Sequence, residues 1–331
     1  MVYSKIIGLG SYAPLQIIEN DELSKIVETN DEWITTRTGI KQRRISSGEK
    51  TSQMAINAAQ AAIENAVIEK KEIDMIILAT ITPDYFTPST ANIVQAELGL
   101  KDIPSFDVSA GCTGFIYGLQ IADQFIKSKQ CKTILVIGAE ALSKVTDWTD
   151  RNTCVLFGDG AGAAILQSSD QEGIICTYTG SQGDLQGHLT IPAVPLKNPF
   201  FENPENNGNH SHIFMNGKEI FKFATRIMIK SIIHVLNKSN ILMKDIDYII
   251  PHQANIRIID YVSQKLKIDR ERFIINLDRF GNTSSASVPL AMDEAYKKNI
   301  FCPGNKIIMV AFGGGLTWGA VLVNWTIQGV N

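Results

Sequence analysis

"FDVSAGCTGFIYGLQIADQFIK" (106–127) and "INLDRFGNTSSASVPLAMDEAYKK" (275–298) hold matching places in two halves of one 331-residue chain. Each reads as a strand end, a turn of small residues and then a helix. Working outward, "EIDMIILATITPD" (72–84) precedes the first as "DIDYIIPHQAN" (245–255) precedes the second. Behind them come "KTILVIGAEAL" (132–142) and "NKIIMVAFGGGL" (305–316), then "GAGAAIL" (160–166) and "WGAVLVN" (318–324). Pairs that recur in the same order indicate an internal duplication, with a period far too long for a solenoid. The expected architecture is α/β: two similar halves, 1–170 and 171–331, packed face to face with the active groups at their junction. The runs "MIILATI" (75–81), "TILVIGA" (133–139), "YIIP" (248–251) and "KIIMVAF" (306–312) do not alternate. They predict strands covered on both faces, as in a parallel or mixed sheet between helices. "TSQMAINAAQAAIENA" (51–66) predicts a helix capped by Thr51 or Ser52.

Bulk properties narrow the function classes. A hydrophobic content of 44% and a charged content of 20% fit a globular protein. A net charge of −3 gives no general attraction to nucleic acid or anionic membrane. No apolar run approaches the ~18 residues of a membrane span. The start, "MVYSKIIGLGSYAP", reads as a strand rather than a signal peptide, which predicts a cytoplasmic protein. Its "GLGS" is no dinucleotide fingerprint, because Pro14 intervenes and no helix follows. The five cysteines (112, 131, 154, 176, 302) form no CxxC pair and no cluster with histidine, which argues against disulfides and zinc alike.

The duplication singles out three residues. The turn of the first half carries Cys112, the equivalent turn of the second carries Asn282, and His252 follows the apolar run "YIIP". A thiol at the first turn of a helix feels the positive end of the helix dipole, which favours the thiolate. Small neighbours leave room for a carbonyl, so Cys112 reads as a nucleophile. Cysteines 131, 154, 176 and 302 read as buried structural thiols. His252 has the polar company of Gln253 and Asn255 at a strand end, where α/β sites gather. His188, His210, His212 and His234 lack such a setting. Asn282 is either a turn residue after Gly281 or an amide donor suited to an enolate or oxyanion. The glycines of "FGGGLTWG" (312–319) suit a tight turn, close approach to a ligand, or both.

Cys112 in "SAGCTGF", His252 in "PHQAN" and Asn282 in "GNTSSAS" resemble the thiolase-superfamily condensing enzymes. "DEWITTRTGI" (31–40), "FGDGAGA" (157–163) and "AFGGGLTWG" (311–319) narrow the resemblance to β-ketoacyl-[acyl carrier protein] synthase III over nearly the whole chain. The resemblance implies a thiolase-like five-layer αβαβα fold with internal duplication, a homodimer, and no permanently bound cofactor. The implied reaction joins a short acyl-CoA to malonyl-acyl carrier protein through an acyl-cysteine, starting fatty-acid synthesis. Cys112 would carry the acyl group. The backbone N–H groups of Cys112 and Gly314 would form the oxyanion hole. His252 and Asn282 would stabilise the enolate left by decarboxylation.

The same resemblance assigns coenzyme A to Thr29, Trp33, Arg37, Arg151, Gly217, Phe221 and Asn255, with an adenine stacked between Trp33 and Arg151. Carrier-protein docking falls to Lys222, Gln253, Ala254, Asn255, Ile256, Arg257 and Lys265, where basic charge suits an acidic partner. The acyl pocket falls to Thr87, Leu156 and Phe157. Two departures bear on specificity. "PLKNPFFENPENNGNHSH" (195–212) is longer than usual and either reshapes the pocket mouth or lies disordered, and Thr87 stands where many members carry an aromatic residue. Two competing readings remain: a condensing or acyl-transfer enzyme of secondary metabolism with the same three residues, and an idle scaffold that only binds acyl thioesters or carrier protein.

Overall fold

The computed structural model describes residues 2–194, 200 and 212–329. Two sheets organise them. The first is built from β1 (Tyr3–Tyr12), β2 (Met75–Ala79), β3 (Ser105–Val108), β4 (Thr133–Glu140) and β5 (Gly160–Ser169), in the order β1-β5-β4-β2-β3. The second is built from β6 (Ile174–Ser181), β7 (Tyr248–Pro251), β8 (Lys306–Gly313) and β9 (Thr317–Asn324), in the order β6-β9-β8-β7. In both sheets two parallel strands (β2 with β4, β7 with β8) sit next to an antiparallel pair (β4 with β5, β8 with β9). The place of β3 is taken in the second sheet by a single parallel bridge from Ile249 to Phe273. The repeat legible in the sequence is thus a repeat of sheet topology.

The helices of eight or more residues are α1 (Asp31–Thr38), α2 (Thr51–Ala66), α3 (Thr90–Glu97), α4 (Gly114–Lys127), α5 (Gly217–Ser239), α6 (Ile256–Leu266) and α7 (Ser287–Lys297). α2 and α3 cover the outer face of the first sheet; α4 and α7 lie between the sheets; α5 covers the second, with α6 beside it. That arrangement makes five layers, αβαβα. The period-2 geometry of a strand explains why the runs are apolar throughout. Ile76, Leu78, Leu135 and Ile137 face outward toward Met54 and Ala58 of α2. Met75, Ile77, Ile134 and Val136 face inward toward Phe115 and Leu119 of α4, where Ile307 and Met309 meet them from the other sheet. Ile308 and Val310 point the other way, against Phe223 and Ile227 of α5.

One local expectation fails. Helix α2 spans the predicted residues, but Lys50 is its N-cap, with no side-chain cap. The Thr51 hydroxyl instead donates to the carbonyl of Thr82 at 2.6 Å, tying the helix to the loop after β2. No helix among the described residues is long and apolar enough to cross a membrane.

Candidate active site

Between β3 and α4 the chain makes a one-turn 3-10 helix, Gly111–Thr113, opened by Gly111 at φ +54°. Before α7 it makes another, Ser284–Ala286, opened by Ser284 at φ +48°. The two turns pack against each other at the centre of the molecule. In this register Ser285, rather than Asn282, occupies the place equivalent to Cys112, and Asn282 lies on the approach to the turn. The β8–β9 turn closes over the first of them. A Cβ on Gly313 would lie 2.6 Å from the amide nitrogen of Cys112, so only a glycine allows the approach. Thr317 Oγ1 donates to the carbonyl of Ala110 at 2.9 Å and fixes the contact. The glycines therefore serve both a tight turn and a close approach, here to protein backbone.

His252 leaves the end of β7 with its N–H donating to Val310 at 2.8 Å. Its Nδ1 lies 2.7 Å from Ser287 Oγ, which also accepts from the N–H of Gln253 at 3.3 Å. The Phe312 ring stands edge-on at 5.3 Å. Burial pushes the imidazole down to about 3 and so keeps it neutral. Asn282 donates its N–H to Leu156 at 2.8 Å and accepts from Gly158 at 3.0 Å, so it pairs with the backbone around Phe157. Its Oδ1 accepts from the N–H of Ser284 at 2.9 Å. Among the described residues no protein group takes up Asn282 Nδ2 or His252 Nε2. Cys112, His252, Asn282, Leu156, Phe157 and Gly314 all line one cavity of about 1370 Å³. Strand ends, paired turns and backbone pairing thus bring residues 170 positions apart to one mostly apolar space, with two donor nitrogens unengaged.

The thiol does not behave as the helix position suggested. Burial pushes Cys112 from an ordinary 9.0 up to about 12, and the nearby Glu140 carboxylate pushes the same way. Such a rise amounts to about 4 kcal/mol against the thiolate, more than the ~2 kcal/mol a helix end supplies at best. Desolvation wins, and the resting residue is a thiol. Among the other cysteines, 131, 154 and 176 are buried as expected, whereas Cys302 is exposed in the loop before β8.

Thr87 stands exposed, outside the cavity lining; its neighbour Phe86 borders the cavity while remaining 82% exposed. Trp33, Arg37, Gly217, Phe221 and Asn255 border a second, shallower cavity of about 460 Å³ that shares Gly217, Phe221 and Asn255 with the first. Arg37 and Arg151 both lie over the Trp33 ring, at 4.4 and 4.9 Å. An inserted adenine needs two van der Waals gaps, about 7 Å, so the expected sandwich is closed and Arg151 has to swing out. Thr29 is half-buried, two residues before α1.

Of the seven docking residues, Arg257 and Lys265 are exposed on α6, and Lys222 on α5 pairs with Glu219 at 2.7 Å. Gln253 does not belong with them. It is buried, its amide donates to Pro251 and Ile274, and its Oε1 accepts from Asn276. Ala254 faces the main cavity, Ile256 packs toward Gly39, and Asn255 caps α6 through the N–H of Arg257. His188 is held by Asp184 at 2.7 Å, and His234 stacks on Tyr178. His210 and the segment 195–211, apart from residue 200, lie outside the described residues.

Sequence reading missed two supports of the site. Ser287, which holds the His252 ring, carries no signal beyond its place in a serine-rich turn. Glu140 does carry one, as a carboxylate closing the otherwise apolar run of β4. It is fully buried and accepts hydrogen bonds from both halves of the chain.

The chain is similar to known proteins along nearly its whole length. Family models for 3-oxoacyl-[acyl-carrier-protein] synthase III match residues 106–183, and for its C-terminal part 236–325. A curated β-ketoacyl-[acyl-carrier-protein] synthase III of Clostridium acetobutylicum is 52% identical over 322 residues, covering 97% of this chain and 98% of that protein. The crystal structure of 3-oxoacyl-[acyl-carrier-protein] synthase III from Aquifex aeolicus superposes with a TM-score of 0.91 at 47% identity, covering 97% of this chain and all of the other. The priming β-ketosynthase of the R1128 polyketide pathway gives a TM-score of 0.91 at 33% identity, covering 98% of this chain and 97% of that one. Near-complete coverage at about half identity, on a duplicated thiolase-like fold, leads to one conclusion: the chain belongs to the β-ketoacyl-[acyl-carrier-protein] synthase III family of acyl-transferring condensing enzymes.

Proposed function

We propose that the chain primes fatty-acid synthesis: it takes an acyl group from a short acyl-CoA onto Cys112 and condenses it with malonyl-acyl carrier protein. The carrying observation is one cavity lined by Cys112, His252 and Asn282, in which His252 Nε2 and Asn282 Nδ2 have no protein partner among the described residues. A Ser287 hydroxyl that donates to Nδ1 would leave the single imidazole proton on Nε2, and burial keeps the ring from taking a second one. Both donors would bind the malonyl thioester oxygen as carbon dioxide departs, stabilising the enolate that attacks the acyl-cysteine. The backbone N–H groups of Cys112 and Gly314 would hold the acyl oxygen. Neutral donors suit the task, because an imidazolium would be expensive in this buried site.

Coenzyme A would enter between α1 and α5, its phosphates meeting Arg37 and its adenine stacking on Trp33 once Arg151 moves. Lys222, Arg257 and Lys265 would meet the acidic carrier protein. No resident cofactor is part of this scheme, and the reaction is placed in the cytoplasm. The halves 1–170 and 171–331 would act as two structural units sharing one site. A homodimer would cover β3, an edge strand with one neighbour, together with the exposed Phe86 beside it.

The test is product formation from acetyl-CoA and malonyl-acyl carrier protein. Asn282→Ala should lower condensation by roughly 10²–10³-fold while leaving Cys112 able to take the acyl group. Condensation unaffected by that change, or by Cys112→Ala, contradicts the scheme. A second reading, priming of a secondary-metabolite chain, is favoured by the likeness to the R1128 priming ketosynthase. It predicts preference for longer or branched acyl-CoA over acetyl-CoA in the same assay.

A further inference from the structure

Arg43 lies on the short strand Gln42–Arg44, fully buried, and neither half-reaction gives it a task. Burial pushes its guanidinium down to about 10, so it is charged at neutral pH. Its hydrogen-bond acceptors are all neutral: Asn20 Oδ1 and the Val155 carbonyl at 2.9 Å, and the Ile18 carbonyl at 3.2 Å. Its Nε is buried without a partner. A buried cation held only by neutral oxygens is expensive, and an apolar side chain of similar size would fill the space at less cost. What only arginine supplies is a rigid planar fork that fixes two acceptors relative to each other.

The two prongs of the fork lead to different parts of the site. Val155 opens the segment that pairs with Asn282, whose N–H donates to Leu156 at 2.8 Å and whose carbonyl accepts from Gly158 at 3.0 Å. The stem of Arg43 packs beside that pairing: a Cβ on Gly158 or Gly281 would lie 3.2 or 3.4 Å from Arg43 Cβ. Leu156, one residue on, lines both cavities. On the other prong, Asn20 turns its Nδ2 to Asp31 Oδ1 at 2.8 Å and Thr35 Oγ1 at 3.3 Å. Both belong to α1, the helix that carries Trp33 and Arg37. Asn282 Nδ2 takes its position from the backbone pairing and from the Ser284 N–H on Oδ1.

We propose that Arg43 is a positioning residue for decarboxylation: its fork holds the segment from Val155 to Gly158, and with it Asn282, where Nδ2 meets the malonyl thioester oxygen. A misplacement of about 1 Å at a reacting group costs on the order of 10²-fold in rate. Only the half-reaction that uses Asn282 should feel it. Cys112 is fixed by other contacts, the close approach of Gly313 and the Thr317 hydrogen bond to Ala110, so acylation does not depend on the fork.

The inference rests on Asn282 serving the malonyl thioester, and the test separates the two. Carbon dioxide release from malonyl-acyl carrier protein and single-turnover acylation at saturating acetyl-CoA are measured in the wild type and four variants. These are Arg43→Met, Arg43→Lys, Asn282→Ala and the double variant Arg43→Met with Asn282→Ala. Arg43→Met should lower release roughly 10²-fold and leave acylation nearly unchanged. Arg43→Lys keeps the charge but lacks the fork, and should fall almost as far. The double variant should lose no more than Asn282→Ala, because both changes remove the same interaction. Release near the wild-type rate in Arg43→Met or Arg43→Lys overturns the inference. Equal losses in the two half-reactions, or additive losses in the double variant, mark a general structural role and overturn it too. If the Arg43 variants fail to fold, Asn20→Ala decides: it frees one prong and should slow release more than acylation, and any other pattern overturns the inference. Release at the wild-type rate in Asn282→Ala overturns the proposed function instead.

Discussion

His252 shows how burial sets the chemistry of one residue. Its pKa falls from 6.5 to about 3 because charging it would place an uncompensated cation in an apolar wall. Between those values the unfolded chain binds a proton that the folded chain does not, so stability drops as pH falls below about 6.5. Thermal melting across pH 7 to 4 should show a decline in the wild type that flattens in His252→Asn. Identical slopes would mean that the ring is hydrated and free to charge. Cys112 is the opposite lesson, since its place near a helix start suggested a thiolate and enclosure made it a thiol. The sequence shows the helix; it does not show how completely the surroundings exclude water.

At the scale of elements, the apolar runs and the turn of small residues were legible because each depends on local periodicity. The strands β2, β4, β7 and β8 fall where those runs lie, within two residues. What local pattern does not carry is the partner of a side chain. Thr51 reads as a cap and serves a distant carbonyl, and Gln253, placed among the docking residues by the resemblance, ties three backbone groups together. The β8–β9 turn depends on such a nonlocal contact. Gly313→Ala would put a methyl 2.6 Å from the Cys112 nitrogen. The resulting overpacking should cost about 1–3 kcal/mol of stability and lower acylation more than melting temperature alone accounts for. Unchanged acylation in a folded variant would show that the turn has room to move.

For the whole molecule, the duplication was readable because both halves keep the same order of motifs, and the sheet topology repeats it with one strand reduced to a bridge. The convergence of Cys112 and His252 on one cavity follows from that symmetry, whereas Asn282 reaches it through its backbone pairing beside Phe157. The buried carboxylate of Glu140 was not readable in this way, because its partners, Thr82 and Ser285 among them, come from both halves at once. The exposed edge β3 and the 82% exposed Phe86 lead to a further expectation. If a second copy covers them, Phe86→Asp should shift sedimentation from dimer toward monomer, and a wild-type monomer would exclude that assembly.

The central claim is that two halves of one chain build a single chamber whose sulfur carries the acyl group. Its most direct measurement is peptide mass spectrometry after brief exposure to acetyl-CoA, with and without a chase of malonyl-acyl carrier protein. The account predicts an acetyl group on the peptide containing Cys112 that the chase removes as product forms. Acetylation at another cysteine, or an adduct on Cys112 that the chase leaves in place, would contradict it.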